Sequence, residues 1–204
     1  MTTAAPDLST MSTRSKILAV IAIAAAILYI AAGRMDDAAG LRMIAKPIPV
    51  LVLAYWVSTL RVKGRYQQAI LAGLLLSALG DILLEYSDAT FLPGLVAFLL
   101  GHVAYIVAFL QDTRKLQPYY GAAAYAYGLF AMFFLISTGD LGGMLVPVQM
   151  YVLVITTMVW RAACRLDAPK VPRFSAWVGL AGALFFVVSD SLLAFRLFGT
   201  PIQV

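Results

Sequence analysis

The stretch GALFFVVSDSLLAF, residues 182–195, is apolar apart from its serines and Asp190. It lies within a longer apolar run over residues 174–197. A helix needs about 20 residues to cross the hydrocarbon core of a bilayer, and this run is long enough. A carboxylate inside such a helix is costly, and it usually faces a partner or a water-filled cavity. The stretch therefore predicts a membrane-spanning helix that carries a polar group with a task.

The composition extends this prediction to the whole chain. Its 204 residues are 62% hydrophobic and 12% charged, whereas soluble domains are about 45–50% apolar and about 25% charged. We expect an integral membrane protein with one helical domain over residues 14–204, preceded by a disordered tail over residues 1–13. The net charge of +5 comes mainly from short connections between apolar runs, so we expect no nucleic-acid partner. One cysteine and one histidine exclude an internal disulfide and a centre built on several imidazoles, and we expect no metal or cofactor.

Seven apolar runs predict an all-α fold, a polytopic transmembrane helix bundle with seven spans. The first run follows Arg14 and Lys16 as in a signal peptide, but its length favours a membrane helix. The second run is short, and residues 43–45 extend it. The runs cover residues 17–33, 46–60, 66–86, 91–111, 119–137, 143–161 and 174–197.

Lysine and arginine residues predict the orientation of the spans. Eleven of the 15 lie in the N-terminal segment and in the second, fourth and sixth connections. The other four are Arg34, Arg42, Lys46 and Arg196. Because cytoplasmic connections are enriched in basic residues, we expect the N-terminus in the cytoplasm, and the plasma (inner) membrane as the location in a bacterium.

Polar side chains inside the spans share one expected depth, in the outer half or near the middle of the bilayer. Asp81 and Glu85 lie one turn apart on the third span, and His102 and Tyr105 lie one turn apart on the fourth. Tyr151 and Asp190 lie in the outer halves of the last two spans, and Lys46 begins the second. These residues are candidates to line a single cavity.

Each candidate also has a purely structural interpretation. Asp190 pairs with Lys46 or Arg196 in that case, and His102 is a hydrogen-bonded packing residue. Lys46 and Glu85 extend to the membrane interface, and the tyrosines pack or lie in the aromatic belt. The functional interpretation is that Asp81 and Asp190, in a medium of low dielectric constant, share protons as an acid and a base.

Five blocks of this sequence, taken together, resemble the lysoplasmalogenase family, also called YhhN-like. They occur in the family's order and cover most of residues 46–195. The blocks are KPIPVLVL (46–53), LLLSALGDILL (74–84), GLVAFLLGHVAYIVAF (94–109), YVLVITTM (151–158) and GALFFVVSDSLLA (182–194).

The resemblance implies an intramembrane hydrolase that acts on lysophospholipids. Known members cleave the vinyl ether bond of lysoplasmalogens to a fatty aldehyde and a glycerophospho-base. By position, the resemblance implies Asp81 and Asp190 as the acid/base pair with His102 orienting a carboxylate or water. Lys46 is then a candidate for the substrate phosphate, and Tyr105, Tyr151 and Glu85 for substrate binding. Family members usually have eight spans, so the resemblance also implies that a final helix is missing from this chain.

Two other functions remain open at this stage. Carboxylates and a histidine within a membrane also form proton relays, so a small transporter or proton-coupled carrier is the alternative. A purely structural membrane protein is the third possibility. The sequence gives no indication of the oligomeric state.

Overall fold

A computed structural model describes residues 13–35, 38–60, 64–139 and 141–198. Apart from Thr13, which begins the first helix, the expected disordered tail lies outside the described residues. The elements of the described part are helices, with short 3₁₀ turns between some of them. The helices are α1 (Thr13–Ala32), α2 (Ala39–Ala45), α3 (Ile48–Ser58), α4 (Arg65–Tyr86), α5 (Phe91–Asp112), α6 (Pro118–Thr138), α7 (Leu145–Cys164) and α8 (Arg173–Phe198).

These helices confirm the predicted polytopic membrane architecture. Within the described residues, seven segments are long and apolar enough to cross a bilayer, with α2 and α3 together forming the second. Many large apolar side chains are exposed on them; Leu129 is 73% exposed and Phe185 76% exposed. Such surfaces suit a hydrocarbon surrounding rather than water. The predicted cytoplasmic position of the N-terminus stays a prediction.

The second span is interrupted by a proline in its middle. α2 ends at Ala45 and α3 begins at Ile48, although Lys46 and Pro47 keep right-handed helical dihedral angles. The Lys46 N–H still donates to the Arg42 carbonyl at 2.9 Å, but Pro47 has no N–H to continue the ladder. The interruption places Lys46 at a break near the middle of the span, and not at the start of the span as predicted from the sequence.

The chain divides into two compact units, and the boundary falls inside α5. The first unit ends at Ala108 and the second begins at Phe109. The first therefore holds α1 to α4 and most of α5, and the second holds the last turn of α5 and α6 to α8. The single helical domain expected over residues 14–204 stays a prediction.

Small residues bring α4 and α5 into close contact in the first unit. A Cβ atom on Gly73 would overlap the ring of Tyr105, and one on Gly80 would overlap the ring of Phe98. On the facing helix, a Cβ atom on Gly101 would lie 3.2 Å from the Gly73 carbonyl oxygen. Helices in membranes commonly approach through such small residues. This packing fixes the part of α5 that carries His102.

Two buried arginines secure the second unit at the end of α7. The Arg165 side chain is 1% exposed and donates from Nε to Asp112 Oδ2 at 2.8 Å. Arg161 is 3% exposed and donates to the carbonyls of Thr113 and Lys115 in the connection between α5 and α6. Both arginines are among the basic residues of the connections from which the topology was predicted. The structure shows that their side chains are buried inside the protein.

Candidate functional site

Two cations and two carboxylates form a cluster between α2 and α4 in the first unit. Arg42 Nε lies 2.8 Å from Glu85 Oε1, and Lys46 Nζ lies 3.5 Å from Glu85 Oε2. Lys46 Nζ also lies 3.9 Å from Asp81 Oδ1. The side chains are 15–28% exposed. We call Arg42, Lys46, Asp81 and Glu85 the ionic cluster.

The sequence builds this cluster from two pairs at helical spacing. Asp81 and Glu85 are four residues apart on α4, and Arg42 and Lys46 are four residues apart in the first half of the second span. Residues at this spacing share one face of a helix, so the two pairs face each other. Lys46, Asp81 and Glu85 were predicted as site residues from the sequence, whereas Arg42 was predicted only to mark the topology. The four-residue spacing between Arg42 and Lys46 is the sequence signal for its place in the cluster.

Lys46 is also held from a third side. Its Nζ lies 5.9 Å from the centre of the Tyr29 ring on α1, a distance at which an ammonium group is attracted to an aromatic face. One lysine therefore contacts Asp81, Glu85 and Tyr29, which come from two other helices.

A second polar group of the first unit is fully enclosed. His102 is 0% exposed and Tyr105 6% exposed, and the Tyr105 hydroxyl lies 3.4 Å from Ser77 Oγ. The His102 ring stacks on Phe98 with 6.4 Å between centroids. The structure thus places both predicted residues of α5 in the interior, against the small residues of α4.

The second unit contains the remaining predicted residues as one pair. The Tyr151 hydroxyl donates a hydrogen bond to Asp190 Oδ2 at 2.5 Å. Tyr151 is 8% exposed and Asp190 is half-buried. The Asp190 carboxylate, which lies in the apolar stretch over residues 182–195, therefore accepts a hydrogen bond from a tyrosine of α7.

The structure brings some predicted site residues together within each unit. Lys46, Asp81 and Glu85 meet in the first unit, and Tyr151 meets Asp190 in the second. The two aspartates belong to different units, so their action as one acid/base pair stays a prediction. Among the described residues, no group of three or more His, Cys, Asp or Glu side chains is placed to hold a metal ion.

This chain is similar to several proteins that are named lysoplasmalogenase. The human lysoplasmalogenase TMEM86B is 30% identical over 175 residues, which cover 82% of this chain and 68% of that protein. The pig TMEM86B lysoplasmalogenase is 31% identical over 171 residues, with 82% and 68% coverage. A lysoplasmalogenase of Mycobacterium tuberculosis is 32% identical over 139 residues, covering 64% of this chain and 50% of that protein.

No solved structure matches this chain significantly. Residues 41–204 match the YhhN family, and this range includes all four residues of the ionic cluster and both residues of the Tyr151–Asp190 pair. This chain belongs to the YhhN family.

Proposed function

We propose that this chain is a membrane hydrolase that cleaves the vinyl ether bond of a lysoplasmalogen to a fatty aldehyde and a glycerophospho-base. The observation that carries the proposal is the ionic cluster in a membrane-spanning member of the YhhN family. Relatives of the chain named lysoplasmalogenase support the same substrate class.

The proposed reaction needs an acid, a base and water. A proton is transferred to the vinyl carbon that is not bonded to oxygen, and the double bond shifts to give an oxocarbenium ion. Water adds to this cation and loses a proton, which gives a hemiacetal. The hemiacetal hydroxyl then loses its proton while the bond to the glycerol oxygen breaks. That oxygen takes up a proton, and the aldehyde leaves. A positioned carboxylic acid suits the first step, and a carboxylate suits both the stabilisation of the cation and the activation of water.

Asp81 and Asp190 are the carboxyl groups proposed for these steps. Lys46 lies 3.9 Å from Asp81 and orients it, and the Tyr151 hydroxyl orients Asp190 through their 2.5 Å hydrogen bond. His102 is proposed to position a carboxylate or the attacking water. Tyr105, Glu85 and Lys46 are proposed to line the substrate site without binding the phosphate of the substrate.

The membrane setting fits a substrate with a single chain. A lysolipid has one hydrocarbon tail that lies among the lipid-exposed apolar side chains, and its head group remains at the interface. Charged side chains with 15–28% exposure are placed to meet a polar head group, whereas a fully enclosed cluster is not. The chain is therefore proposed to take its substrate from the bilayer, in the plasma membrane if the source is bacterial.

Aldehyde release by the purified protein in detergent tests the proposal. The substrate is a lysoplasmalogen with an ethanolamine head group, and the control substrate is its saturated ether analogue, which has no vinyl bond to protonate. The proposal predicts aldehyde from the first and none from the second. In D2O, deuterium should be found on the carbon next to the aldehyde, because the first step protonates that carbon.

The outcomes of this experiment separate the proposal from its rivals. No aldehyde from folded protein, across ethanolamine and choline head groups, would overturn the hydrolase. Aldehyde without deuterium at that carbon would retain the substrate but overturn the protonation step.

A further inference from the structure

We propose that Arg42 binds the phosphate of the lysolipid head group and sets the preference of the site for phosphate-bearing lipids. The inference rests on the proposed function and deepens it. Phosphate binding, which the family resemblance implied for Lys46, is thereby assigned to Arg42.

Lys46 is already engaged on several sides. Its ammonium group lies 3.5 Å from Glu85, 3.9 Å from Asp81 and 5.9 Å from the centre of the Tyr29 ring. Binding of a phosphate at Lys46 would compete with two carboxylates for the same three donors. Lys46 is better placed to hold the two carboxylates in position than to bind an additional anion.

Most N–H donors of the Arg42 guanidinium group have no partner among the described residues. Within the described part of the chain, it is hydrogen-bonded through Nε alone, to Glu85 at 2.8 Å. A guanidinium group has five N–H donors, so both terminal NH2 groups lack a partner among these residues. The Arg42 side chain is 28% exposed, which leaves room for a ligand to approach. Two NH2 donors in a planar fork match two phosphate oxygens, as arginine commonly binds phosphate.

Glu85 fixes the direction of that fork. Its two oxygens contact different cations, Oε1 the Arg42 Nε and Oε2 the Lys46 ammonium. The bond to Nε lies on one edge of the guanidinium plane and restrains its rotation, so the terminal donors keep one direction. Glu85 is thus a positioning residue for Arg42. The negative charge of Glu85 also disfavours anions that cannot accept hydrogen bonds from both terminal NH2 groups of Arg42.

Binding of a lipid that cannot be hydrolysed tests this assignment separately from catalysis. The probe is the saturated ether lysophospholipid with an ethanolamine head group, measured by calorimetric titration into the purified protein in detergent. Arg42→Gln should weaken binding by about tenfold or more, because the phosphate loses its charge-assisted hydrogen bonds to the guanidinium group. The alkyl glycerol that lacks phosphate should bind the parent and Arg42→Gln alike.

Arg34→Gln is the matched control for loss of one positive charge. Arg34 is exposed in the turn after α1 and donates to the Ile30 carbonyl at 3.4 Å, so its substitution should leave lysolipid binding unchanged. Arg42→Lys keeps the charge but loses the fork and should also bind more weakly than the parent. Thermal unfolding of each variant establishes that it is folded.

Four results would overturn the assignment. The first three are equal lysolipid binding by the parent and Arg42→Gln, an equal loss for Arg34→Gln, and an equal loss for the phosphate-free glycerol ether. The fourth is inorganic phosphate that binds the parent as tightly as the lysolipid, which would indicate a general anion site. A parent that binds the ether analogue through Arg42 but releases no aldehyde from the vinyl ether would retain this assignment and overturn the hydrolase.

Discussion

Arg42 in the first unit and Arg165 in the second share one kind of contact, an ion pair from Nε to a carboxylate, but differ in their other partners and in their exposure. Each donates from Nε to a carboxylate at 2.8 Å. Arg165 also donates to the Ser175 carbonyl at 3.1 Å and the Ser175 hydroxyl at 3.0 Å, and it lies over the Phe109 ring. Its side chain is 1% exposed, against 28% for Arg42.

The difference indicates which arginine is structural and which is available to a ligand. Arg165 donates from all three nitrogens of its guanidinium group, and one face of that group is covered by the Phe109 ring, so Arg165 joins the end of α5, the end of α7 and the start of α8. Arg42 has most of its donors unused within the described residues and is accessible. The length of an ion pair is therefore a poor guide to its role, whereas the number of donors that remain is informative.

The largest expected effect is on the buried arginine. Arg165→Gln removes the partner of Asp112 and two donors to Ser175, so we expect a loss of about 3–5 kcal/mol in the free energy of unfolding. Thermal unfolding in detergent measures it. An unfolding temperature equal to that of the parent would show that Arg165 does not stabilise the folded protein.

The tightly packed part of the first unit should be the next most sensitive. Gly73→Ala places a methyl group into the Tyr105 ring, and overpacking of this kind costs about 1–3 kcal/mol. Gly182→Ala on α8 is the matched control, because nothing lies within 4 Å of its added methyl group. Equal unfolding temperatures for the two variants would contradict the close packing of α4 on α5.

The Tyr151–Asp190 pair should affect activity more than stability. Tyr151→Phe removes the hydroxyl that orients Asp190, and we expect about a tenfold fall in kcat, as expected for about 1.4 kcal/mol. Tyr127→Phe is the control, because that hydroxyl also bonds to α8, at 2.6 Å from Ser191 Oγ. An equal fall in kcat for Tyr151→Phe and Tyr127→Phe would contradict the proposal that Tyr151 acts by orienting Asp190.

The smallest expected effect completes the comparison. Arg42→Gln should change the free energy of unfolding by less than about 1 kcal/mol, since partly exposed ion pairs contribute little. Denaturation of this variant beside Arg165→Gln measures the contrast. Similar losses of stability in the two would mean that Arg42 is also a structural residue.

The sequence predicted the spans well because hydrocarbon thickness and hydropathy determine them. The predicted run over residues 66–86 is the helix Arg65–Tyr86, and the run over 174–197 is Arg173–Phe198. The second span, predicted over residues 46–60 with an extension to residue 43, begins earlier in the structure, at Ala39. Arg42 interrupts the apolar pattern at that start. In the structure that segment is the helix Ala39–Ala45, whose single arginine is paired with Glu85.

The site was predicted only in part, because depth in a membrane does not determine which side chains touch. Helical spacing placed Asp81 with Glu85, and the structure adds Arg42 and Lys46 from another helix. The partner of Asp190 is Tyr151, which shared its predicted depth but was not named as its hydrogen-bond donor. The buried roles of Arg161 and Arg165 depend on backbone carbonyls and on Ser175, and sequence patterns do not reveal such partners.

Aldehyde release by Asp81→Asn, measured beside the parent and Asp88→Asn, tests whether Asp81 is a catalytic carboxyl group of a vinyl ether hydrolase. Asp81 lies in the ionic cluster, whereas Asp88 is an exposed residue of the turn after α4, so the two variants carry the same substitution in different settings. The hydrolase with a catalytic Asp81 predicts a loss of about 100-fold or more for Asp81→Asn, as removal of a general acid or base typically produces, and parental activity for Asp88→Asn. Parental activity in folded Asp81→Asn would contradict the account.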